Sequence, residues 1–235
     1  MDYRPLFNYS WFIKSFEKYL LSEKMKYLYQ FYFMENEIIK CIKERRSIRR
    51  YLDKDIPKEL IEKIIEAGRY APSAEDRQPW RFIVITNKEK IRELSNEVKN
   101  QIRNVLKNKW KWKRKYKELK DERLLLFLNA IVHSRKDIVF YDAPVVIFIL
   151  TDDKVFNDES CACSAQNMML AAWSMGIGSC WIGFAKFLEL SKDAMQNIGI
   201  PDGYHIASCL TFGYPAKVPR ATIRKPIADI IKWID

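Results

Sequence analysis

Apolar and polar positions follow two different periods along this chain, and the two periods separate the predicted helices from the predicted strands. In PKELIEKIIEAGRY, residues 57–70, Ile and Leu recur every three or four positions, as in a helix with one buried face. RFIVIT (81–86) and APVVIFIL (143–150) are short β-branched runs, which predict strands, and the second run is apolar enough to be buried on both faces. Helical and extended segments therefore interleave.

The same two patterns predict the remaining elements. Further helices are expected over 34–45, 87–106, 124–134, 159–175 and 186–199; Gly176 closes the fourth of these, and the basic segment that follows residue 106 prolongs the second. Residues 177–184 are expected to be extended, 205–215 to form a strand, and the C-terminal tail to run as a loop into a short helix. The loop APSAEDRQPW (71–80) contains two prolines and small polar residues. This order of elements predicts an α+β fold.

Residues 1–33 form an aromatic-rich amphipathic extension, and its role stays open between an arm that wraps a partner subunit and an over-extended start before Met34. No apolar run approaches the roughly 20 residues that span a bilayer. The first residues also lack the basic, apolar and small-residue regions of a signal peptide. We therefore expect a cytoplasmic protein with no membrane partner. The main domain is expected over 34–235.

Charge is distributed unevenly along the chain. The formal net charge is +11, and the segment Lys99–Lys120 alone holds ten basic residues and one acid. Three interpretations stay open for this part of a helical insertion at about 98–140: a solvated lysine face, a lid over an active site, or a surface for nucleic acid or membrane. We consider nucleic acid an unlikely partner for the protein as a whole.

The cysteines and histidines do not form a recognisable catalytic or metal-binding pattern. Five cysteines occur without a CxxC motif, and only two histidines are present. No nucleophile–base pair is identifiable, so we expect neither a metal site nor a catalytic side chain.

Four arginines and a serine crowd into six positions in KERRSIRRYLDKDIP, residues 43–57. Such a cluster is either a solvated basic helix end or an anion site, since like charges repel unless an anion lies among them. The rest of the sequence distinguishes the two. RRSIRRY (45–51), APSAEDRQPW (71–80), GIGSCWIGF (176–184) and LTFGYP with IRKP (210–226) together resemble the nitroreductase family of FMN-dependent oxidoreductases.

The resemblance implies a fold, a cofactor and a set of contact residues. The fold would have a central, mostly antiparallel sheet flanked by helices. FMN would be the cofactor, with phosphate and ribityl contacts from Arg45, Arg46 and Ser47, and Arg49 at the N1/O2 edge of the flavin. The other implied cofactor contacts are Pro72, Ser73, Ala74, Asp76, Gln78, Ile182, Gly183 and Arg224. One main-chain N–H, that of Ile182 or Gly183, would point at flavin N5.

One implied position departs from the family pattern. Asp76 stands where the family usually has asparagine, and an ionised carboxylate can accept a hydrogen bond but cannot donate one. Asp76 is therefore expected to accept from the flavin or the ribityl chain, or to pair with Arg77. Cys180 and Trp80 are expected to be packed side chains rather than ligands.

The resemblance also implies an activity and an assembly. Hydride would pass from NAD(P)H through FMN to a small acceptor such as a nitroaromatic, a quinone or a flavin, in ping-pong order. The family's homodimers build each FMN site from both chains. Two alternatives remain: a specialised member that dehalogenates, dehydrogenates or converts flavin, or a non-catalytic flavin or nucleic-acid binder.

Overall fold

A computed structural model describes residues 36–112 and 117–234 of the 235-residue chain. The chain divides into two units, Met1–Glu44 and Arg45–Asp235. The described part of the first unit contains helix α1, Glu37–Glu44, whose Ile38, Ile39 and Ile42 are exposed. The predicted extension 1–33 and the predicted boundary at Met34 lie outside the described residues.

The described part of the second unit is built on a four-stranded sheet in which each pairing is antiparallel. Its strands are β1 (Arg81–Ile85), β2 (Val145–Asp152), β3 (Gly178–Trp181) and β4 (Tyr204–Gly213). They lie side by side in the order β1-β2-β4-β3, which leaves β1 at one edge and β3 at the other. The predicted α+β fold with an antiparallel sheet is confirmed.

Helices connect and cover these strands. They are α2 (Lys58–Arg69), α3 (Lys88–Lys107), α4 (Lys109–Trp112), α5 (Glu122–His133), α6 (Asn157–Ser174) and α7 (Lys192–Ile198). Short 3-10 helices occupy Ala74–Asp76, Lys117–Lys120, Gly183–Leu190 and Ile227–Asp229. Side chains that favour helix starts begin three of the helices: Asn87, Asp121 and Ser191 each accept a backbone N–H of the first turn of α3, α5 and α7.

Strand β2 divides the core into two layers because its successive side chains point to opposite faces of the sheet. Val146, Phe148 and Leu150 face one layer, where α3, α5, α7 and the 3-10 helix Gly183–Leu190 pack. Their neighbours on the strand face the other layer, where α2 and α6 pack. Seven of the eight β2 residues are buried, and this explains the unbroken apolar run in the sequence.

Three predicted helical segments differ from the structure. Helix α3 ends at Lys107 instead of continuing through the basic segment, because Asn108 leaves helical geometry and its side chain donates to the C=O of Asn104. The single helix predicted over 186–199 is interrupted at Ser191, which is extended and caps α7. The tail forms only the 3-10 turn Ile227–Asp229, since its residues are exposed and have no surface to pack on.

Within 36–112 and 117–234, no helix has both the length and the apolar character needed to cross a bilayer.

Candidate functional site

The arginine segment, residues 45–51, lies along the outer edge of the sheet beside β3. Ser47 pairs with Ser179 of β3 in a parallel bridge, and the N–H of Ile48 donates to the C=O of Ser179 at 2.9 Å. The Ile48 side chain is fully buried. The segment is therefore a fixed part of the sheet edge and not a frayed helix end.

The far end of the arginine segment is attached to the residues that follow β4. The N–H of Leu52 donates to the C=O of Tyr214 at 2.8 Å, and the N–H of Ala216 donates to the C=O of Arg50 at 2.9 Å. Backbone hydrogen bonds therefore hold the segment at both ends.

Two glycines allow the arginine segment to approach the sheet this closely. A Cβ atom on Gly178 would lie 2.5 Å from Cγ1 of Ile48, and one on Gly213 would lie 2.5 Å from Cδ1 of Tyr51. Either contact is shorter than packed carbon atoms tolerate, so a larger residue at Gly178 or Gly213 would push the segment outward.

Tyr51 ties the segment to the interior. Its hydroxyl donates to the C=O of Ile48 at 2.8 Å and lies 2.8 Å from Oγ1 of Thr211. Burial raises the pKa of Tyr51 well above its usual range, so the phenol stays neutral and keeps its proton for the hydrogen bond.

Arg45 carries the clearest sign of an anion site. Its Nε is buried and has no hydrogen-bond partner among the described residues, although a buried polar group without a partner is normally costly. The side chains of Arg45, Arg46 and Ser47 are half-buried, whereas Arg49 and Arg50 are exposed. Nη1 of Arg46 donates to the C=O of Arg45 at 2.8 Å. The segment thus holds an inner group of potential donors, 45–47, and an outer pair of arginines.

Arg49 lies at the mouth of a cavity of about 420 Å³. Its guanidinium carbon lies 6.0 Å from the ring centre of Tyr141, which also lines the cavity. Tyr141 and Asp142 both have positive φ, 61° and 50°, and the carboxylate of Asp137 holds their loop by accepting the N–H of Asp142. The other lining residues are mostly apolar: Phe127, Ile138, Val139, Trp181, Ile182, Gly183 and Phe184.

The backbone after β3 supplies one available donor to this cavity. The N–H of Ile182 is already committed to the C=O of Cys209 at 2.8 Å. Gly183 is the first residue of its 3-10 helix, a position whose N–H has no acceptor within the helix. A Cβ on Gly183 would meet no atom within 4 Å, so the space above it is open. Of the two amides predicted to face a flavin, the N–H of Gly183 is the one available.

Cys180 and Trp80 are packed as expected. The Cys180 thiol is buried, lies 3.6 Å from the C=O of Trp181, and has its pKa raised by burial. Arg49 and Ser47 partly oppose this rise in the pKa. Cys180 is therefore a neutral thiol and not a thiolate nucleophile. Trp80 is also buried.

The predicted cofactor loop, residues 72–78, has an unusual backbone. Glu75, Asp76 and Gln78 have positive φ values of 54°, 52° and 47°, a conformation that costs side-chain-bearing residues about 1–2 kcal/mol each. The hydroxyl of Ser73 accepts the N–H of Gln78 at 3.1 Å, and a carboxylate oxygen of Asp76 accepts the Gln78 side-chain amide at 3.1 Å. Strain of this kind is concentrated at functional sites.

The start of α6 holds the cofactor loop in place. The N–H of Ala74 donates to Oγ of Ser160 at 3.3 Å, and the guanidinium of Arg77 donates to the C=O of Val155 at 2.6 Å. Nε of Arg77 lies 3.7 Å from a carboxylate oxygen of Glu75. The ion pair of Arg77 is therefore with Glu75 and not with the neighbouring aspartate.

The arginine segment and the cofactor loop lie at opposite edges of the sheet. The loop leads into β1, whereas the segment pairs outside β3, and four strand spacings separate the two positions. Four spacings amount to about 19 Å. Within one chain, Arg45, Arg46, Ser47, Arg49, Ile182 and Gly183 form one group, and Pro72, Ser73, Ala74, Asp76 and Gln78 form a second, distant group.

Arg224 belongs to neither group in a single chain. It lies in the exposed tail, residues 216–234, and makes no hydrogen bond or ion pair with a described residue. The tail also exposes large apolar side chains, including Ile223 at 98% and Trp233 at 81%. Such exposure is typical of a segment that packs against another molecule.

Two contributors to the site were not anticipated from the sequence. Thr211 holds Tyr51, and Tyr141 lines the cavity beside Arg49. In the sequence, the only local sign that Tyr141 lines a site is its place in Tyr-Asp-Ala-Pro, the loop immediately before a buried strand. Loops that are positioned by a rigid sheet often carry functional residues.

The Nitroreductase family model matches residues 42–214. A protein named NADH dehydrogenase/NAD(P)H nitroreductase from Methanothermobacter thermautotrophicus is 30% identical over 188 residues, which is 78% of this chain and 80% of that protein.

Two solved structures share the fold. A nitroreductase with bound FMN from Bacteroides fragilis is 28% identical and superposes with a TM-score of 0.69, over 86% of this chain and 100% of the other. A nitroreductase with bound FMN from Desulfitobacterium hafniense is 25% identical with a TM-score of 0.70 and the same coverage.

Proposed function

This chain belongs to the nitroreductase family, and on that premise we propose that it is an FMN-dependent oxidoreductase that transfers hydride from NAD(P)H to a small organic acceptor. Its relatives are named as NAD(P)H nitroreductases, and the similar solved structures contain FMN. The acceptors we propose are nitroaromatics, quinones or flavins.

The observation that carries the proposal is the buried Nε of Arg45, which lies beside Ser47 and has no hydrogen-bond partner in the part of the chain that the structure describes. A doubly charged phosphate would accept from this N–H and from the rest of the guanidinium, and the donor would then no longer be buried without a partner. Arg46 and Ser47 are half-buried next to it and would supply further donors.

The remaining residues of the first group fit a flat ring. The cavity next to Arg49 is about 420 Å³, within the range of small-molecule sites, and its walls are mainly apolar and aromatic. Bound FMN would supply reversible hydride chemistry, taking hydride from NAD(P)H and passing it to the acceptor in alternating half-reactions.

The chain contributes positioning and electrostatics to that chemistry. Arg49 would bring a positive charge to the edge of the ring, where it favours an anionic reduced form. The N–H of Gly183 would donate a hydrogen bond from the main chain, and the missing side chain leaves room for the ring. The aromatic walls would exclude water from the ring face.

We further propose a homodimer in which each FMN contacts two chains. The loop 72–78 leads into β1, which lies four strand spacings (about 19 Å) from the arginine segment in one chain, so the loop would serve the site of the partner. Asp76 and Gln78 would meet the flavin or the ribityl chain there. The tail with Arg224 would reach the phosphate from the partner as well, and its exposed isoleucines and Trp233 would be covered.

The test begins with the visible absorption spectrum of the purified protein, before and after heat release of the chromophore. We expect a yellow protein with about one FMN per chain, and consumption of NADH or NADPH when menadione or a nitroaromatic is added. A colourless protein that does not take up added FMN would refute the proposal. Sedimentation of the same sample should give a dimer.

A further inference from the structure

A second cavity, the side cavity, lies next to the cavity beside Arg49 and has a different chemical character. Its volume is about 300 Å³. Aliphatic and aromatic side chains from α3, α5 and two 3-10 helices form its walls: Val105, Leu119, Leu124, Leu128, Phe187 and Leu190. Among the described lining residues only Lys186 is ionisable, and it is exposed.

Gly183 and Phe184 line both cavities, so the side cavity adjoins the cavity beside Arg49. The Phe184 ring lies between two other rings, with its centre 5.7 Å from that of Phe127 and 6.4 Å from that of Phe187. An acceptor ring that stacks on a flavin in the cavity beside Arg49 could therefore extend an apolar substituent past Phe184 into the side cavity.

The side cavity is larger than a packing defect. Apolar cavities of about 150 Å³ already take up benzene. A methylene group needs about the space of one water molecule in the liquid, about 30 Å³, so the side cavity would hold a chain of about ten carbon atoms. Among the described residues, its walls offer almost no hydrogen-bond partner, which disfavours a sugar, a phosphate or a second nucleotide as the occupant.

We propose that the side cavity binds the alkyl or prenyl chain of a ring acceptor, so that the substrate class is quinones with an apolar tail. This inference rests on the proposed function. The ring would take up the hydride and a proton, so that quinone, NAD(P)H and H⁺ give hydroquinone and NAD(P)⁺. The chain would take no part in the chemistry, but its burial would add binding energy.

The test is the dependence of kcat/KM on chain length for the FMN-loaded enzyme with saturating NAD(P)H. The acceptors are 1,4-naphthoquinone and its 2-methyl, 2-propyl, 2-butyl, 2-hexyl and 2-dodecyl derivatives. We expect kcat/KM to rise by up to about fourfold for each added methylene and to level off near ten carbons. If the unsubstituted ring is reduced and kcat/KM is flat or falls with chain length, the inference is wrong although the proposed function stands.

Two other outcomes are also informative. If an enzyme that contains FMN oxidises NAD(P)H with a nitroaromatic but reduces none of these quinones, this inference fails and the proposed function stands. If it reduces no quinone, no nitroaromatic and no free flavin, both fail. The two failures are distinguishable because neither the unsubstituted quinone nor a nitroaromatic needs the side cavity.

Two variants on α5 test whether the chain lies in the side cavity. Leu124→Gln puts an amide into the side cavity and should remove most of the chain-length dependence. Leu126→Gln is the matched control, because Leu126 is 71% exposed and does not line the cavity, and it should keep the wild-type dependence. A loss of the dependence in both variants would overturn the assignment. Flavin absorbance and circular dichroism verify folding, and the wild-type series decides the question if Leu124→Gln does not fold.

Discussion

Replacing Arg45 with methionine should weaken FMN binding and, at the same time, leave the apoprotein at least as stable as wild type. The two effects have opposite signs because the buried Nε of Arg45 has no partner among the described residues. Methionine keeps most of the length and apolar contact of the side chain but removes the charge and the donors.

The expected sizes follow from this environment. A charge-assisted hydrogen bond to phosphate contributes about 1.5–3 kcal/mol, so the Kd for FMN should rise about 10- to 150-fold. Leaving a buried donor unpaired costs about 1–3 kcal/mol. Because Arg45 is only half-buried, we expect its removal to raise the free energy of unfolding of the apoprotein by about 1 kcal/mol or less.

Both quantities can be measured on the same preparation. Apoprotein is titrated with FMN, and the quenching of flavin fluorescence gives Kd; urea unfolding of the apoprotein gives the stability. Arg50→Met is the matched control, because Arg50 is exposed, and it should change Kd by less than about threefold. If Arg45→Met keeps the wild-type Kd, or if it destabilises the apoprotein by more than about 1 kcal/mol, Arg45 has a structural role and the phosphate assignment is wrong.

Three further predictions concern the sheet edge. Gly178→Ala should destabilise the protein by about 1–3 kcal/mol in urea unfolding, because the new Cβ would lie 2.5 Å from Ile48; an unchanged midpoint would contradict so tight a contact. Gly183→Ala has room for its Cβ, so it should keep the stability but lower kcat/KM at least about tenfold; wild-type turnover would rule out close approach of a ring there. Burial raises the pKa of Tyr51, so the contribution of Tyr51 to the free energy of unfolding is complete below the unfolded-state pKa of 10.0 and is lost as the pH rises above that value. Tyr51→Phe, which loses the bond to Thr211, should therefore be less stable than wild type at about pH 8 by about 1–2 kcal/mol, with the difference shrinking above about pH 10 in urea unfolding; a constant difference would contradict this.

The sequence predicted the elements of the fold better than their ends. The Ile and Leu spacing of α2 and the apolar run of β2 were sufficient, since each reflects a face that is buried in the structure. The end of α3 and the start of α7 are set by side-chain hydrogen bonds: Asn108 donates to the C=O of Asn104, and Ser191 accepts the N–H of Ala194. The spacing of apolar residues does not predict where such a polar side chain ends or begins a helix.

The resemblance named candidate residues for the site and implied that two chains build it, but it did not say which residues group together in one chain. The resemblance named both the arginine segment and the loop 72–78, while the strand order that puts them at opposite edges is a property of the whole sheet. The choice of Gly183 over Ile182 likewise required the hydrogen bond from Ile182 to Cys209, which joins positions far apart in the sequence.

The attachment of the arginine segment to the sheet has a consequence for how the cofactor would leave. The segment is held by the N–H groups of Ile48 and Leu52, so the sheet edge cannot open locally without moving the proposed phosphate donors Arg45 and Ser47. If FMN cannot bind while this edge is locally open, FMN would slow amide hydrogen exchange at Ile48 and Leu52 by the factor 1 + [FMN]/Kd. Loss of the cofactor on heating would mark the local melting of this edge, at a temperature below that at which the core unfolds.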